Sequence, residues 1–336
     1  MSRYPLDPLP FGWFHTAFCE DLQPGDVKPL HMHDRHFVLW RDEEGEPHVM
    51  NAYCAHLGAH LGYGGRVEGR SIRCPFHAWR YDGTGQCVEI PYVEKAHRLA
   101  AVAAHPVVER NGMIWMWWHP AAEAPKWEVP EVPEWSDPGW TSEYVRQHWP
   151  IRTKWREVAE NGIDLTHFHY LHGVATIPEL EFGDYDDHVW HSNSVHQVNT
   201  PLGRRRGNFE VKLHGPGFAW LRFGIEDIVE ILFVITITPI DREHVDNRFS
   251  FLARHPVRDD VPDMAPSLIQ EVIDQVTDDV PIWENKIIKD PPLLARGDGP
   301  IVKFREWATQ FSATGAGRRG AEPAAAQPPA SAPVAS

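Results

Sequence analysis

Cysteine is scarce in this chain of 336 residues: there are four, Cys19, Cys54, Cys74 and Cys87. Four thiols are too few to staple a protein of this length. Two of them are followed closely by histidine, which points to metal binding in a reducing compartment rather than to disulfides. No apolar run reaches the roughly 18–20 residues that a bilayer requires. The longest candidate, "IVEILFVITITPI", is short and interrupted by Glu230. The N-terminus, "MSRYPLDPLPFGW", lacks the basic-then-apolar pattern of a signal peptide, so a cytoplasmic protein is expected. Positive charge is also in deficit, with 32 Lys and Arg against 47 Asp and Glu and a net charge of −15. That balance argues against binding nucleic acid or an anionic membrane.

What is present fits a globular protein of two domains, with 42% hydrophobic and 24% charged residues. Residues 35–120 read as short strands between turns: "RHFVLWR", "PHVMNAY", "SIRCPF", and "VVERNGMIWMWW" with its Asn111-Gly112 hairpin signal. An all-β domain is therefore assigned to residues 1–125. The stretch 121–140, dense in Pro, Glu and Trp, reads as an extended connection packed on the surface, with the linker proper at 126–143. Residues 144–312 read as an α+β domain. A strand begins it near Tyr144, a helix is expected over 153–171, and strands over 208–223, 227–238 and 245–254. A further helix is expected from Ser267, kinked or broken at Pro281. The Ala/Pro-rich tail, 313–336, is expected to be disordered.

Residues 53–79, "YCAHLGAHLGYGGRVEGRSIRCPFHAW", hold Cys54 with His56 and Cys74 with His77, separated by a glycine-rich segment. Two thiolates and two imidazoles suit zinc or an iron–sulfur cluster. A zinc finger groups its cysteines and then its histidines, whereas here each loop gives one of each. A [2Fe–2S] cluster with thiolates on one iron and imidazoles on the other needs this set. Its neutral imidazoles raise the potential to about −150 to +300 mV, against roughly −400 mV for plant-type all-Cys clusters. "CAHLG" and "CPFHAW" resemble the ligand boxes of Rieske proteins, with the spacing of Rieske oxygenases. Respiratory Rieske proteins usually add a cysteine to each box, and Ala59 and Phe76 stand at those positions here. Cys19 and Cys87 read as buried or incidental thiols.

A carrier of electrons needs only the first 120 or so residues, yet "AENGIDLTHFHYLH" (159–172) crowds acids and histidines onto an expected helix. Non-haem Fe(II) enzymes hold iron with two His and one carboxylate. Spacing alone leaves His167, His169 and His172 open: the last two share a helix face, and His167 meets His172 only if the helix loosens near Leu171. The segment resembles the Rieske oxygenase motif of Asp, two residues, His, four residues, His, which Asp164, His167 and His172 match. From Asp279 onward the chain resembles the C-terminal block of the 3-ketosteroid 9α-hydroxylase oxygenase branch, which implies Asp279 as third ligand and Asp278 as its alternate.

The resemblance implies a Rieske [2Fe–2S] domain followed by a helix-grip (START-like) domain, and a terminal oxygenase with mononuclear Fe(II). Electrons would come from NAD(P)H through a separate ferredoxin-type or flavin reductase, and O₂ would hydroxylate an apolar, steroid-like or polycyclic substrate. Desaturation, demethylation or ring dioxygenation on the same iron is the alternative, and an electron carrier or ligand-binding protein without mononuclear iron is the reading from another class. The resemblance further implies that Asp164 links His167 to a cluster histidine of a neighbouring subunit, hence a homotrimer. Phe182, Trp190, Phe209, Phe218, Trp220, Phe223 and Phe233 are candidates to line the substrate cavity.

Overall fold

The computed structural model describes residues 8–97, 99–200, 203–254 and 263–312, so the tail 313–336 lies outside the described residues. The N-terminal half forms three small antiparallel sheets. In one, Met113–Trp118 lies between Gly12–Phe18 and Val107–Arg110. A second runs Val27–Met32, Arg35–Arg41, Pro47–Asn51, Ala104–His105, and a third runs Arg66–Glu68, Ser71–Arg73, Arg80–Asp82, Cys87–Glu89. The Asn111-Gly112 hairpin holds both central residues left-handed, with φ of +57° and +72°, as a type I′ turn requires. A Cβ on Gly112 would sit 2.6 Å from the Trp135 ring, so this turn also needs glycine for space.

The C-terminal half is one seven-stranded antiparallel sheet, ordered Val145–Ile151, Val245–Ala253, Val229–Pro239, Phe218–Ile225, Gly203–His214, Val189–Thr200, Glu179–Asp186. Helices α1 (Trp155–Asn161) and α2 (Leu165–Tyr170) precede the last two strands of that order, and α3 (Ala265–Asn285) and α4 (Ile301–Thr309) follow the sheet in sequence. Strands dominate, and the α+β class expected of this half holds. Among the described residues no helix is long and apolar enough to cross a membrane.

Four local expectations are corrected. The helix expected over 153–171 is two helices, because the chain turns at Gly162-Ile163 and Asp164 caps a new start. The strand expected over 208–223 is two strands, divided at Gly215–Gly217. Gly215 has φ +74°, and a Cβ on Gly217 would lie 2.2 Å from the Trp13 carbonyl oxygen, so only glycine fits this crossing of the two halves. Pro281 does not break α3, which continues to Asn285. The proline deletes one N–H donor, while Trp283 anchors the last turn in the core and the Lys286 N–H closes it on the Ile282 carbonyl at 2.8 Å. The connecting stretch is not merely laid on the surface. Val129, Val132 and Trp140 are core residues, and the Asn111 side chain clamps the segment by donating to Pro130 O and accepting from Val132 N.

Candidate metal centres and their cavity

The two Cys/His boxes fold into the same turn. Cys54 follows the strand Pro47–Asn51, and its N–H donates to Ala59 O at 2.9 Å while Gly58 N–H returns to Cys54 O at 3.0 Å. Cys74 follows Ser71–Arg73, with its N–H on Trp79 O at 2.8 Å and Ala78 N–H on Cys74 O at 3.2 Å. The residue four past each cysteine is left-handed, Gly58 at φ +73° and Ala78 at +60°. These paired turns bring the His56 and His77 rings to 4.7 Å between centroids. Both thiols are buried, and Cys54 interacts with Cys74 and with the Tyr81 hydroxyl, 3.1 Å away. Burial holds the free Cys54 thiol above its ordinary range. A bound iron would supply the positive charge that reverses this preference. His56 stacks on Trp79 with centroids 4.5 Å apart, and its Nδ1 is buried without a hydrogen-bond partner, as a nitrogen reserved for a metal should be. The donor set, its one-Cys-one-His order and this orphaned nitrogen all suit a Rieske cluster.

His167, His172 and Asp279 converge so that one ligand atom from each lies within 4.8 Å of the others. Local backbone chemistry explains the convergence. The Asp164 carboxylate caps α2 by accepting from Thr166 N at 3.1 Å and His167 N at 3.4 Å. At the other end Leu171 N–H bonds His167 O at 2.8 Å, and His172 N–H reaches the same oxygen at 3.4 Å. That second bond spans five residues, so the widened turn swings His172 towards His167, and the rings meet at 5.0 Å. His167 Nδ1 is held by the Asp164 carbonyl oxygen, and its Nε2 is buried with no partner. His172 Nε2 lies 3.2 Å from Asp279 Oδ1, and Asp279 Oδ2 accepts from Asn161 Nδ2 at 2.8 Å. Burial lowers the pKa of His167, against opposing attraction from Asp279 and Asp164, which favours the neutral imidazole a metal needs. Two imidazoles and one buried carboxylate are the donor set that suits a non-haem iron site.

One expectation about this centre changes. The Asp164 carboxylate does not orient the His167 ring within the chain: it lies 4.0 Å from Nδ1, because Asp164 is a cap and its carbonyl takes the ring nitrogen. Asp278 is exposed while Asp279 is 3% exposed, so only Asp279 reaches the histidines. His169 points elsewhere, with Nδ1 2.6 Å from Val174 O. Asn161 carries no sequence signal, since its role depends on a carboxylate brought from α3. Behind the site, Arg305 forks onto Glu160 at 2.6 and 2.7 Å, and Lys286 pairs with buried Glu157 at 2.7 Å. Both pairs tie α1 to the C-terminal segments. Outside the boxes, burial pushes the Cys19 thiol up to about 12, leaving it protonated, and Cys87 is buried.

The triad opens onto a cavity of about 370 Å³ between the sheet, α1 and α3. Small-molecule sites commonly run from roughly 300 to 1,000 Å³. Its walls are largely apolar, including Val158, Val211, Leu221, Ile235, Val272 and Trp283. Of the seven aromatic candidates, Phe209, Phe223 and Phe233 line it. Trp190 instead packs on Phe304 and Trp307, and Phe218 on Trp115. Phe182 and Trp220 also lie outside the lining. Phe168 and Phe249 line the cavity without having been singled out.

Comparison with known proteins places these features in a family. Residues 12–106 match the Rieske [2Fe-2S] domain and residues 116–312 the 3-ketosteroid 9alpha-hydroxylase C-terminal domain. A cholesterol 7-desaturase of Ciona intestinalis is 30% identical over 331 residues, covering 91% of this chain and 69% of that protein. A probable 3-ketosteroid-9-alpha-monooxygenase oxygenase component of Rhodococcus rhodochrous is 30% identical over 325 residues, covering 89% and 79%. Among solved structures, the Pseudomonas putida CBB5 NdmA QL mutant with caffeine aligns with TM-score 0.72 at 20% identity, covering 88% of this chain and 89% of that one. Dicamba monooxygenase bound to dicamba aligns with TM-score 0.71 at 19% identity, covering 90% and 96%.

Proposed function

This chain belongs to the Rieske oxygenases that carry a 3-ketosteroid 9α-hydroxylase C-terminal domain, and on that premise we propose that it is the oxygenase component of a multicomponent system oxidising a steroid-like molecule. The observation that carries the reading is the buried His167–His172–Asp279 set opening on an apolar cavity, in a chain that also bears both Cys/His boxes. Residues 1–125 serve the cluster, 144–312 the iron and substrate, and 126–143 join them. Cys54, Cys74, His56 and His77 hold the [2Fe–2S] cluster, and His167, His172 and Asp279 hold the mononuclear iron. When bound, these groups supply electrons singly and activate dioxygen towards a C–H bond. Asn161 fixes the carboxylate, the Asp164 carbonyl fixes the His167 ring, and the apolar walls exclude water and orient the substrate.

A separate reductase of ferredoxin or flavin type passes electrons from NAD(P)H. The Asp164 carboxylate, 43% exposed and capping α2 through Oδ1 alone, faces a cluster histidine of the next subunit in a homotrimer. Hydroxylation consumes O₂, two electrons and two protons to give R–OH and one water. Desaturation consumes the same and gives an alkene and two waters. The presence of cholesterol 7-desaturases among the relatives favours keeping this second outcome.

Metal analysis should find about three Fe per chain, two in the cluster and one in the triad. Turnover of a steroid panel with a surrogate reductase should yield a product heavier by one oxygen, or lighter by two hydrogens. Two Fe per chain, with no steroid converted, would reject the oxygenase reading in favour of an electron carrier.

A further inference from the structure

The cavity contains a polar side chain that the metal centre does not use. His172 and Asp279 belong to the triad, Asn161 donates to Asp279, Gln275 and Glu271 pair with each other on α3 at 3.5 Å, and Gln197 at the rim is exposed. His196, on the strand Val189–Thr200, lines the cavity with its Nδ1 buried and without a protein partner. A row of rings connects it to the iron ligands. Phe168 lies 6.1 Å from His172, Phe209 5.2 Å from Phe168, Phe223 6.4 Å from Phe209, and His196 5.7 Å from Phe223, stacked at 24°. The ring is also seated by glycine: a Cβ on Gly207, its cross-strand partner, would lie 2.6 Å from His196 Nε2.

We propose that His196 anchors the substrate by hydrogen-bonding a lone ketone or hydroxyl oxygen at the end of an elongated polycyclic molecule remote from the carbon oxidised. The inference rests on the steroid-like reading above and sharpens it, by stating which end of the molecule the protein grips. A buried hydrogen-bonding group inside an apolar cavity discriminates strongly, because a ligand lacking the complementary atom leaves it unpaired. Desolvation keeps the imidazole neutral, with one N–H donor and one acceptor. That pairing suits an uncharged ketone or alcohol and gives no advantage to a carboxylate. A molecule held at His196 and lying along the ring row would present its far end to the triad.

Calorimetric titration of the holoenzyme with 5α-androstan-3-one and with 5α-androstane tests this, since the two differ by one carbonyl group. Wild type should bind the ketone at least about tenfold tighter. His196→Phe keeps the ring and should reduce the preference to about twofold or less by weakening the ketone alone, with retained hydrocarbon binding reporting an intact cavity. His196→Asn, which keeps a polar atom near Nδ1, should recover part of the preference. Gly207→Ala, which displaces the ring without altering its chemistry, should weaken the ketone as His196→Phe does. Equal binding of the two ligands by wild type, or an undiminished preference in His196→Phe, overturns the anchor and leaves the oxygenase reading standing. Binding of neither ligand overturns the steroid-like substrate class and the anchor together.

Discussion

The two candidate metal centres are built on opposite plans. The cluster boxes are local: Cys54 to His77 is one continuous stretch, folded as two matching turns over a small core of their own that includes Val38, Trp40, Leu61, Ile72 and Tyr81. The His167–His172–Asp279 triad is global. Two donors come from a single irregular helix turn, and the third arrives on α3, six strands later, at the edge of the large core shared by both halves of the molecule. A centre made of turns depends on a few backbone hydrogen bonds. One assembled across the fold depends on every element that positions its parts, so damage should spread differently from each.

The largest effects break the comparison outright. Cys54→Ser removes a thiolate that serine does not replace as a soft ligand, so the colour and the reduced-cluster EPR signal should vanish. The separate core leaves the C-terminal sheet folded, and the cavity should still bind an apolar ligand. Conversely, Asp279→Ala or His167→Ala should keep the EPR signal while iron falls from about three to about two per chain and turnover disappears. Loss of both signals from either variant would show that the centres are not independent.

The same contrast explains what could be read from residues alone. The two Cys/His boxes were legible as a pair because their matching turns are contained in their spacing, and the type I′ hairpin at Asn111-Gly112 was legible for the same reason. The pairing of His167 with His172 was ambiguous on ideal helix geometry, and a five-residue hydrogen bond at the helix end resolves it. The strand Glu179–Asp186 went unread because it is an edge strand exposed along most of its length, with no apolar alternation to announce it. Asn161, Phe168, Phe249 and His196 acquire their places only when distant elements meet, and no local pattern marks them.

A smaller effect should come from the ion pair behind the triad. Glu160 and Arg305 are both nearly buried and joined by two contacts, which also holds the Arg305 guanidinium above its ordinary pKa. Arg305→Met strands the Glu160 charge and should cost about 3–5 kcal/mol in urea unfolding. Replacing both residues by Met should restore much of that loss, since no buried charge is left unpaired. If the double variant is no more stable than Arg305→Met, packing rather than charge carries the contribution.

Smaller again is Asn161→Ala, which leaves all three triad donors but frees Asp279 Oδ2. Supporting contacts of this kind are worth about 10- to 100-fold in metal affinity. Competition with a chelator should show the mononuclear iron leaving more readily while the cluster iron is unmoved. Asn161→Asp should be worse than Asn161→Ala at high pH, because a second carboxylate would face Asp279 with no donor between them.

The smallest effect belongs to the cluster and sharpens the comparison from its other side. Tyr81 lies on the strand Arg80–Asp82, fully buried, with its hydroxyl 3.1 Å from Cys54 Sγ. With the thiolate bound to iron, the hydroxyl is the donor, and the bond strengthens when the cluster gains an electron and its sulfurs become more negative. Removing it disfavours the reduced state, so Tyr81→Phe should lower the potential. A differential contribution of about 1 kcal/mol corresponds to roughly 40 mV for a one-electron couple. The ring remains in the small core, so cluster content should not change, and within the chain Tyr81 belongs to a core separate from the one that holds the triad. Protein-film voltammetry should therefore record a lower potential at unchanged iron content, with single-turnover oxidation of a pre-reduced cluster still complete. An unchanged potential would mean that the hydroxyl turns away from the sulfur once iron is bound, and that the boxes are set by their backbone turns alone.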